Sequence, residues 1–570
     1  MTSRRGAPAG HAWLSRRRLL QAAGLLALAG PRPHANAGQA SSSGARRPVE
    51  QIVDTDVPVI EIGSGRLQGY GRTDVLVWKG VPYAGAPTGT HRFAAPPAPA
   101  PWTGVRRTLA YGPRCPTLEP ALDRSNSIWR FMAPSGPPSD AMEDCLRLNI
   151  WAPREPGGRR PVMVWLHPGG FRTGSSQEYL ASDGENLARS RGVVVVSLNH
   201  RIGPLGHSNL AGIGGDELAD SPVVGLLDIV AGLRWIRTNI AAFGGDPERV
   251  TLFGQSGGGS KISCLLGMPD AAGLFHRAII QSGARLQVHD LESSARLTHE
   301  LLRVLELRPG KRAVEALRTL PIDAYLRACG EASNRVRARQ SPVPRWRSPD
   351  WWFEPAAGTP SMPHQPGDRD ALRRSADVPL ICGNTLNEIS PSGDDPLLER
   401  ISWQELEQRL LPELGARTTA AIAAARATEP GWLPVDVLSV LQSRDFRLAA
   451  VEYCDRAAAL RAASVYNYIF AWRTPMFDGR PRAFHTSDIA FAFANTDLVP
   501  QQTGGGPRPG ALATRVSGWW AGFAATGRPV LPGAPEWPPY DPTRRSAMIL
   551  DDDCSVKEQP DHAVLAALRA

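Results

Sequence analysis

Cysteine is scarce: the chain has 7 in 570 residues and no C-x-x-C pair, so it carries neither a zinc-finger nor a thioredoxin-like framework. Long apolar runs are missing too. Beyond residue 37 no stretch comes near the about 18 uninterrupted apolar residues that a membrane-spanning helix needs. No cluster of Lys and Arg is interleaved with aromatics at a helical or groove-tracking spacing, which argues against a nucleic-acid partner. No internal repeat is evident. Residues 1–37 contain no acid and six arginines; without them the formal charge of +9 becomes +3, and the basic balance says little about partners.

What is present is ordinary for a globular chain with a sizeable core, at 42% hydrophobic and 21% charged. The first 37 residues stand apart. Ser15-Arg16-Arg17-Arg18 precedes a short apolar stretch, Leu19 to Ala29, and then Ala35-Asn36-Ala37, the pattern of a twin-arginine export signal cleaved after Ala37. An uncleaved anchor is the alternative. Residues 38–56 are rich in Ser, Gly and Pro and read as a flexible lead-in, so one large domain is expected over residues 57–570. Export permits disulfides. Cys115 and Cys145 bracket a Pro/Ser-rich stretch, and a bond closing that loop would contribute about 3–4 kcal/mol in the chain-entropy model. Cys264, Cys329, Cys382, Cys454 and Cys554 read as buried or free thiols, and the odd total leaves at least one cysteine unpaired within the chain.

From Val57 onward β-like runs alternate with amphipathic helices. Met163 to Leu166 and Val193 to Leu198 are nearly all apolar, as strands buried on both faces are, and they predict a parallel sheet. Between them and residue 250, Val224 to Arg237 repeats apolar positions at three and four, which marks a helix packed on that sheet. The expected fold class is α/β, a doubly wound and mostly parallel sheet with ligands at the carboxyl ends of its strands. Residues 286–377 and 400–450 are helical in pattern and look like insertions capping the site.

The most informative segment is Val250-Thr-Leu-Phe-Gly254-Gln255-Ser256-Gly257-Gly258. A β-branched, apolar run supplies a strand, and Gly254 and Gly258 flank Ser256 with Gly-x-Ser-x-Gly spacing, because the turn is too tight for side chains there. Such a turn lifts the serine hydroxyl out of the sheet. A helix starting after it points N–H groups at developing negative charge, as acyl transfer through a tetrahedral oxyanion requires. Alone, the segment also reads as a glycine-rich loop.

Three other segments complete a nucleophile, base, acid and oxyanion set. His167-Pro168-Gly169-Gly170-Phe171 directly follows the strand Met163 to Leu166 and offers backbone N–H groups close to substrate; by itself it is also an ordinary turn. His485, in Arg482-Ala-Phe-His485-Thr-Ser-Asp488, is the best-placed late histidine. Glu388 follows the strand-like Val378-Pro-Leu-Ile-Cys-Gly383 and lies between serine and histidine in sequence, in the order serine, acid, histidine. Its role would be to hold the Nδ1–H of the histidine and stabilise the imidazolium. A surface histidine and a solvated glutamate are the bland readings of each alone.

Together these segments resemble the type-B carboxylesterases, the cholinesterase-like branch of the α/β-hydrolase fold. The likeness runs from Gly80-Val-Pro-Tyr-Ala through Glu143-Asp-Cys145-Leu-Arg-Leu-Asn-Ile-Trp151, Asn199-His200-Arg201 and Phe243-Gly-Gly-Asp-Pro247 to Trp519-Trp520-Ala-Gly-Phe, about residues 57–555. The resemblance implies Ser256 as nucleophile, His485 as general base and then acid, Glu388 as orienting carboxylate, and Gly169, Gly170 and Gly257 as oxyanion donors. It implies a Cys115–Cys145 disulfide whose loop lines the entrance, where Trp129 and Phe131 either contact substrate or pack the loop down. It implies a small-molecule ester as substrate, with no metal or organic cofactor. Gln255, Pro168 and His200 depart from the family pattern, which usually has glutamate, glycine and tyrosine there. A catalytically silent binding or adhesion module, a peptidase, and lactonase or amidase activity are the competing readings on this scaffold.

Overall fold

Val162 to Leu166 and Val194 to Leu198 are buried along their whole length, and side chains of this kind leave a strand no solvated face. They sit at the middle of a 12-stranded sheet. The computed structural model describes residues 53–118, 135–137, 139–155, 157–339, 352–460 and 462–569. The export signal, most of the lead-in, Trp129 and Phe131 lie outside them. Residues 51–570 cluster as one unit. Among the described residues no helix is long and apolar enough to cross a membrane.

The sheet is parallel through Val194–Leu198, Arg160–Leu166, Gly245–Gln255, Arg277–Gln281, Leu380–Thr385, Val465–Phe470 and Ala547–Leu550, in that spatial order. Antiparallel strands extend both edges. The expected α/β-hydrolase architecture is present. One boundary differs: Val53–Asp54 already pairs with Gly71 and Arg72, so the sheet begins inside the expected lead-in. A two-residue edge strand held by backbone hydrogen bonds leaves no hydrophobic pattern to read.

Helix Val224–Asn239 buries Leu226, Ile229, Val230, Leu233 and Ile236, the stripe its spacing predicts, and belongs to the larger of the two clusters packed on the sheet. The insertions are helical. Leu291–Val304, Lys311–Thr319 and Ile322–Ala338 form the first group. Trp403–Leu414, Thr418–Thr428, Pro434–Gln442 and Arg444–Leu460 form the second. Ser402 and Glu405 cap Trp403–Leu414 reciprocally. The second group closes a small core of its own from Leu406, Leu410, Leu438 and Leu441, with Val564 and Leu568.

Just beyond the strand Val194–Leu198, Arg201 is fully buried. Its Nε and Nη2 reach the two oxygens of Asp228 at 2.8 and 2.7 Å, and Nη1 and Nη2 also donate to the carbonyls of His91, Arg92 and Ala94 at 2.8–3.1 Å. Every donor has an acceptor, so this ion pair fixes the N-terminal loop to helix Val224–Asn239. Arg201→Leu leaves the Asp228 carboxylate buried and unpaired and is expected to cost about 3–5 kcal/mol, read as a lowered denaturation midpoint. An unchanged midpoint would show that the pair is dispensable.

Candidate active site

The strand Gly245–Gln255 ends at Ser256, whose backbone takes φ 53° and ψ −120°, and helix Gly257–Gly267 starts at the next residue. A non-glycine residue there is strained by about 1–3 kcal/mol and must be held from several sides. The Ser256 N–H donates to Gln281 O at 2.7 Å, and its carbonyl accepts from Ser260 N–H at 2.9 Å. Its neighbours leave no room. A Cβ on Gly258 would lie 1.9 Å from Leu166 O, one on Gly254 2.7 Å from the Gly258 carbonyl carbon, and one on Gly283 2.2 Å from Ser256 O. The glycine spacing read from the sequence is therefore a packing requirement.

The strand Arg160–Leu166 delivers His167-Pro168-Gly169-Gly170 onto this elbow. Gly169 and Gly170 have φ 101° and 65°, and the Gly169 carbonyl accepts from the Arg172 and Thr173 N–H groups at 3.2 and 3.0 Å, which closes a tight turn. A Cβ on Gly257 would lie 2.3 Å from Gly170 N. The glycine loop thus touches the first residue of the helix. Among the described residues the N–H groups of Gly169, Gly170 and Gly257 have no backbone acceptor.

Glu388 and His485 are brought together. Asn387 and Phe484 form a parallel bridge, so the two loops run side by side, and His485 Nδ1 bonds Glu388 Oε2. The other oxygen of the buried Glu388 accepts from Thr385 N–H at 2.9 Å. The second insertion supports both loops: Ser443 Oγ accepts from Ile389 N–H at 2.9 Å, Ser439 Oγ accepts from Asn387 Nδ2 at 3.0 Å, and the Phe446 ring lies 5.2 Å from that of His485.

Ser256 and His485 are not hydrogen-bonded to each other, and the Ser256 hydroxyl bonds no described residue. Gln255 Nε2 instead lies 3.3 Å from His485 Nε2. With Nδ1–H turned to the carboxylate, Nε2 is the acceptor there, and the amide donates weakly at this distance. Among the described residues Gln255 Oε1 is buried without a partner. Cys115 and Cys145 are both buried thiols; the Cys145 thiol is raised well above its usual range by its hydrogen bond with Cys115 and by burial.

Three polar residues around the site went unassigned in the sequence. Asp488, three residues past His485, is fully buried; Oδ2 accepts from Gln281 Nε2 and Tyr468 OH at 2.9 Å each, and burial pushes its carboxyl up to about 6. Its place beside His485 is the signal that could have marked it. Lys261, fully buried in helix Gly257–Gly267, donates from Nζ to His167 O at 3.0 Å. A lysine inside the apolar stretch after the elbow was the clue. His200 lies beneath the glycine loop, its ring stacked 4.9 Å from that of His167.

Residues 56–567 match the profile of the carboxylesterase family. This chain belongs to that family. It is 32% identical over 510 residues to the para-nitrobenzyl esterase of Bacillus subtilis (strain 168), a match spanning 87% of this chain and 95% of that one. It is 33% identical over 524 residues to the phenmedipham hydrolase of Pseudarthrobacter oxydans, spanning 90% and 99%. A carboxylesterase of Geobacillus stearothermophilus has a similar structure, with a TM-score of 0.72 at 32% identity over 90% of this chain and 99% of that one. The chain is accordingly a carboxylesterase with the α/β-hydrolase fold.

The contact between Gly257 and Gly170 generates a prediction for this carboxylesterase. Gly257→Ala places a methyl carbon 2.2–2.4 Å from Gly170 O, N and Cα and has to displace the glycine loop. With one of the N–H groups expected from the sequence to receive an oxyanion misplaced, kcat is expected to fall about 10²-fold while the protein still folds. A variant with unchanged kcat would show that the loop position is not critical.

Proposed function

We propose that the enzyme hydrolyses small carboxylic esters through an acyl-enzyme on Ser256. Ser256 Oγ attacks the carbonyl carbon while His485 Nε2 takes its proton, and the oxyanion is received by the N–H groups of Gly169, Gly170 and Gly257. The C–O bond to the alcohol breaks as His485 returns the proton to the leaving oxygen. Water, activated by the same histidine, then releases the acid. Glu388 fixes the tautomer of His485 and stabilises the imidazolium. The observation supporting this reading is the hydrogen bond between His485 and the buried Glu388 carboxylate, beside a serine of positive φ at a helix start. The Gln255 amide has to yield His485 Nε2 when substrate arrives, and a 3.3 Å contact gives way at little cost.

Ser256→Ala, His485→Ala and Glu388→Gln are each expected to lower kcat strongly, by roughly 10⁴–10⁶-fold for serine and histidine, and the serine–histidine double variant should be no worse than either single. The substrates for this measurement are p-nitrophenyl esters of graded chain length and a para-nitrobenzyl ester, the last suggested by the name of a relative. Near-normal turnover by His485→Ala would remove His485 from the role of base.

We further propose that the mature, exported chain begins near Gly38 and carries a Cys115–Cys145 disulfide, since the two thiols are already in contact and the export route ends in an oxidising compartment. Non-reducing peptide mapping of exported protein reads both features. Recovery of Met1, or of two free thiols, would contradict the corresponding half.

A further inference from the structure

Lys261 is in an unfavourable place. It lies on the fifth residue of helix Gly257–Gly267, four residues after Gly257 and so on the same face, and a helical side chain leans back toward the N-terminus. Its ammonium is therefore buried near the positive end of the helix dipole, where a cation is disfavoured, and removed from water, where it is disfavoured again. Among the described residues no carboxylate forms an ion pair with it, and its one hydrogen bond goes to His167 O at 3.0 Å.

That carbonyl is the hinge of the glycine loop. His167 O lies 3.2 Å from where a Cβ of Gly258 would stand, so the ammonium ties the start of His167-Pro168-Gly169-Gly170 to the first turn of the elbow helix. The loop is braced from its other side by the His167 ring, whose Nδ1–H donates to Pro168 O at 2.8 Å and whose face stacks on His200. The titratable groups facing Lys261 are His167 from the loop, His200 beyond the strand Val194–Leu198, His207 from helix Gly203–His207, and Glu178. Burial holds all three imidazoles below their usual range, His207 to about 3, so they stay neutral. Gln255, on the opposite side of Ser256 in sequence, is also uncharged. Among the described residues the positive charge beneath the loop is favoured electrostatically by Glu178 alone.

We propose that Lys261 is a positioning residue for the oxyanion hole: its ammonium, bonded to the His167 carbonyl, fixes the Gly169-Gly170 loop on the elbow and places a positive charge behind the site where the oxyanion forms. A cost borne by the resting protein is returned only when negative charge develops. Burial also lowers the ammonium toward about 7, opposed by Glu178, so it is charged below that pH and loses its proton above it. Activity that depends on the charge therefore falls as pH rises through this range, opposite in direction to the requirement that His485 be unprotonated.

The inference rests on Ser256 as nucleophile. The test is kcat measured from about pH 5.5 to 9.5, normalised to active sites titrated with an organophosphate for the wild type and Lys261→Met, and to folded protein concentration for Ser256→Ala, which has no serine to titrate. The expected result is a wild-type profile that rises and then falls, and a Lys261→Met variant about 10–100-fold lower in kcat at neutral pH, with KM changed less than about threefold and the alkaline fall gone. A Lys261→Met enzyme with kcat within about twofold of wild type and the same alkaline limb overturns the inference. Should Lys261→Met fail to fold, the wild-type profile decides, and a kcat that stays level to high pH overturns it. Turnover retained by Ser256→Ala would instead refute the site reading itself.

Discussion

Ser256 can hold φ 53° only because everything around it has given up volume. A residue forced into that region relaxes unless its neighbours block every alternative. Gly254, Gly258 and Gly283 meet backbone atoms at 1.9–2.9 Å where a Cβ would go, and Gln281 and Ser260 clamp the amide and carbonyl of the serine. The parallel strands Arg160–Leu166, Gly245–Gln255 and Arg277–Gln281 must therefore end at matching heights, since each contributes a backbone atom to this one turn. Sheet register and the geometry of the proposed nucleophile are the same constraint at this point.

The remaining groups are held less tightly and from further away. Glu388 and His485 sit on loops beyond the strand ends, and the alignment of those loops comes from one bridge and from Ser439 and Ser443 on an insertion helix and its end. A loop can supply a precise side chain only when such contacts lock it. The second insertion is thus part of the site's support, although its own core, built on Leu406 and Leu438, is separate from the sheet's. The Ser256–His485 bond that the proposed mechanism uses is unformed and falls where this looser half meets the rigid one; hydrogen bonds of that kind are often long or absent before substrate binds.

What the sequence disclosed follows from this division. The elbow, the strand Arg160–Leu166 and helix Val224–Asn239 were legible because each has a local cause: a glycine spacing, an unbroken apolar run, a three-four repeat. Glu388 and His485 were legible through order in the chain and through family resemblance, because a single carboxylate or imidazole carries no local pattern. Lys261, Asp488 and the stack of His167 on His200 were not assigned. Their meaning lies in burial and in partners distant in sequence, such as Tyr468 and Gln281 for Asp488, and no periodicity encodes those. The edge strand Val53–Asp54 escaped for the complementary reason that backbone pairing needs no particular side chains.

Three buried charged groups show how differently one fold treats the same electrostatic cost. Arg201 meets Asp228 with every donor satisfied, which suits a purely structural cation. Among the described residues Asp488 has two donors on one oxygen and none on the other, and burial raises its carboxyl to about 6, so part of the cost is relieved by taking up a proton. Among the described residues Lys261 donates to a single neutral carbonyl, and Glu178 alone favours its charge. If stability alone had shaped these positions, a methionine at 261 would serve better than a lysine, for the helix face there is apolar and the helix dipole opposes the charge. The cation with least compensation is the one lying under the loop where the proposed reaction makes a transient anion. That coincidence in space gives the lysine a reason that packing does not.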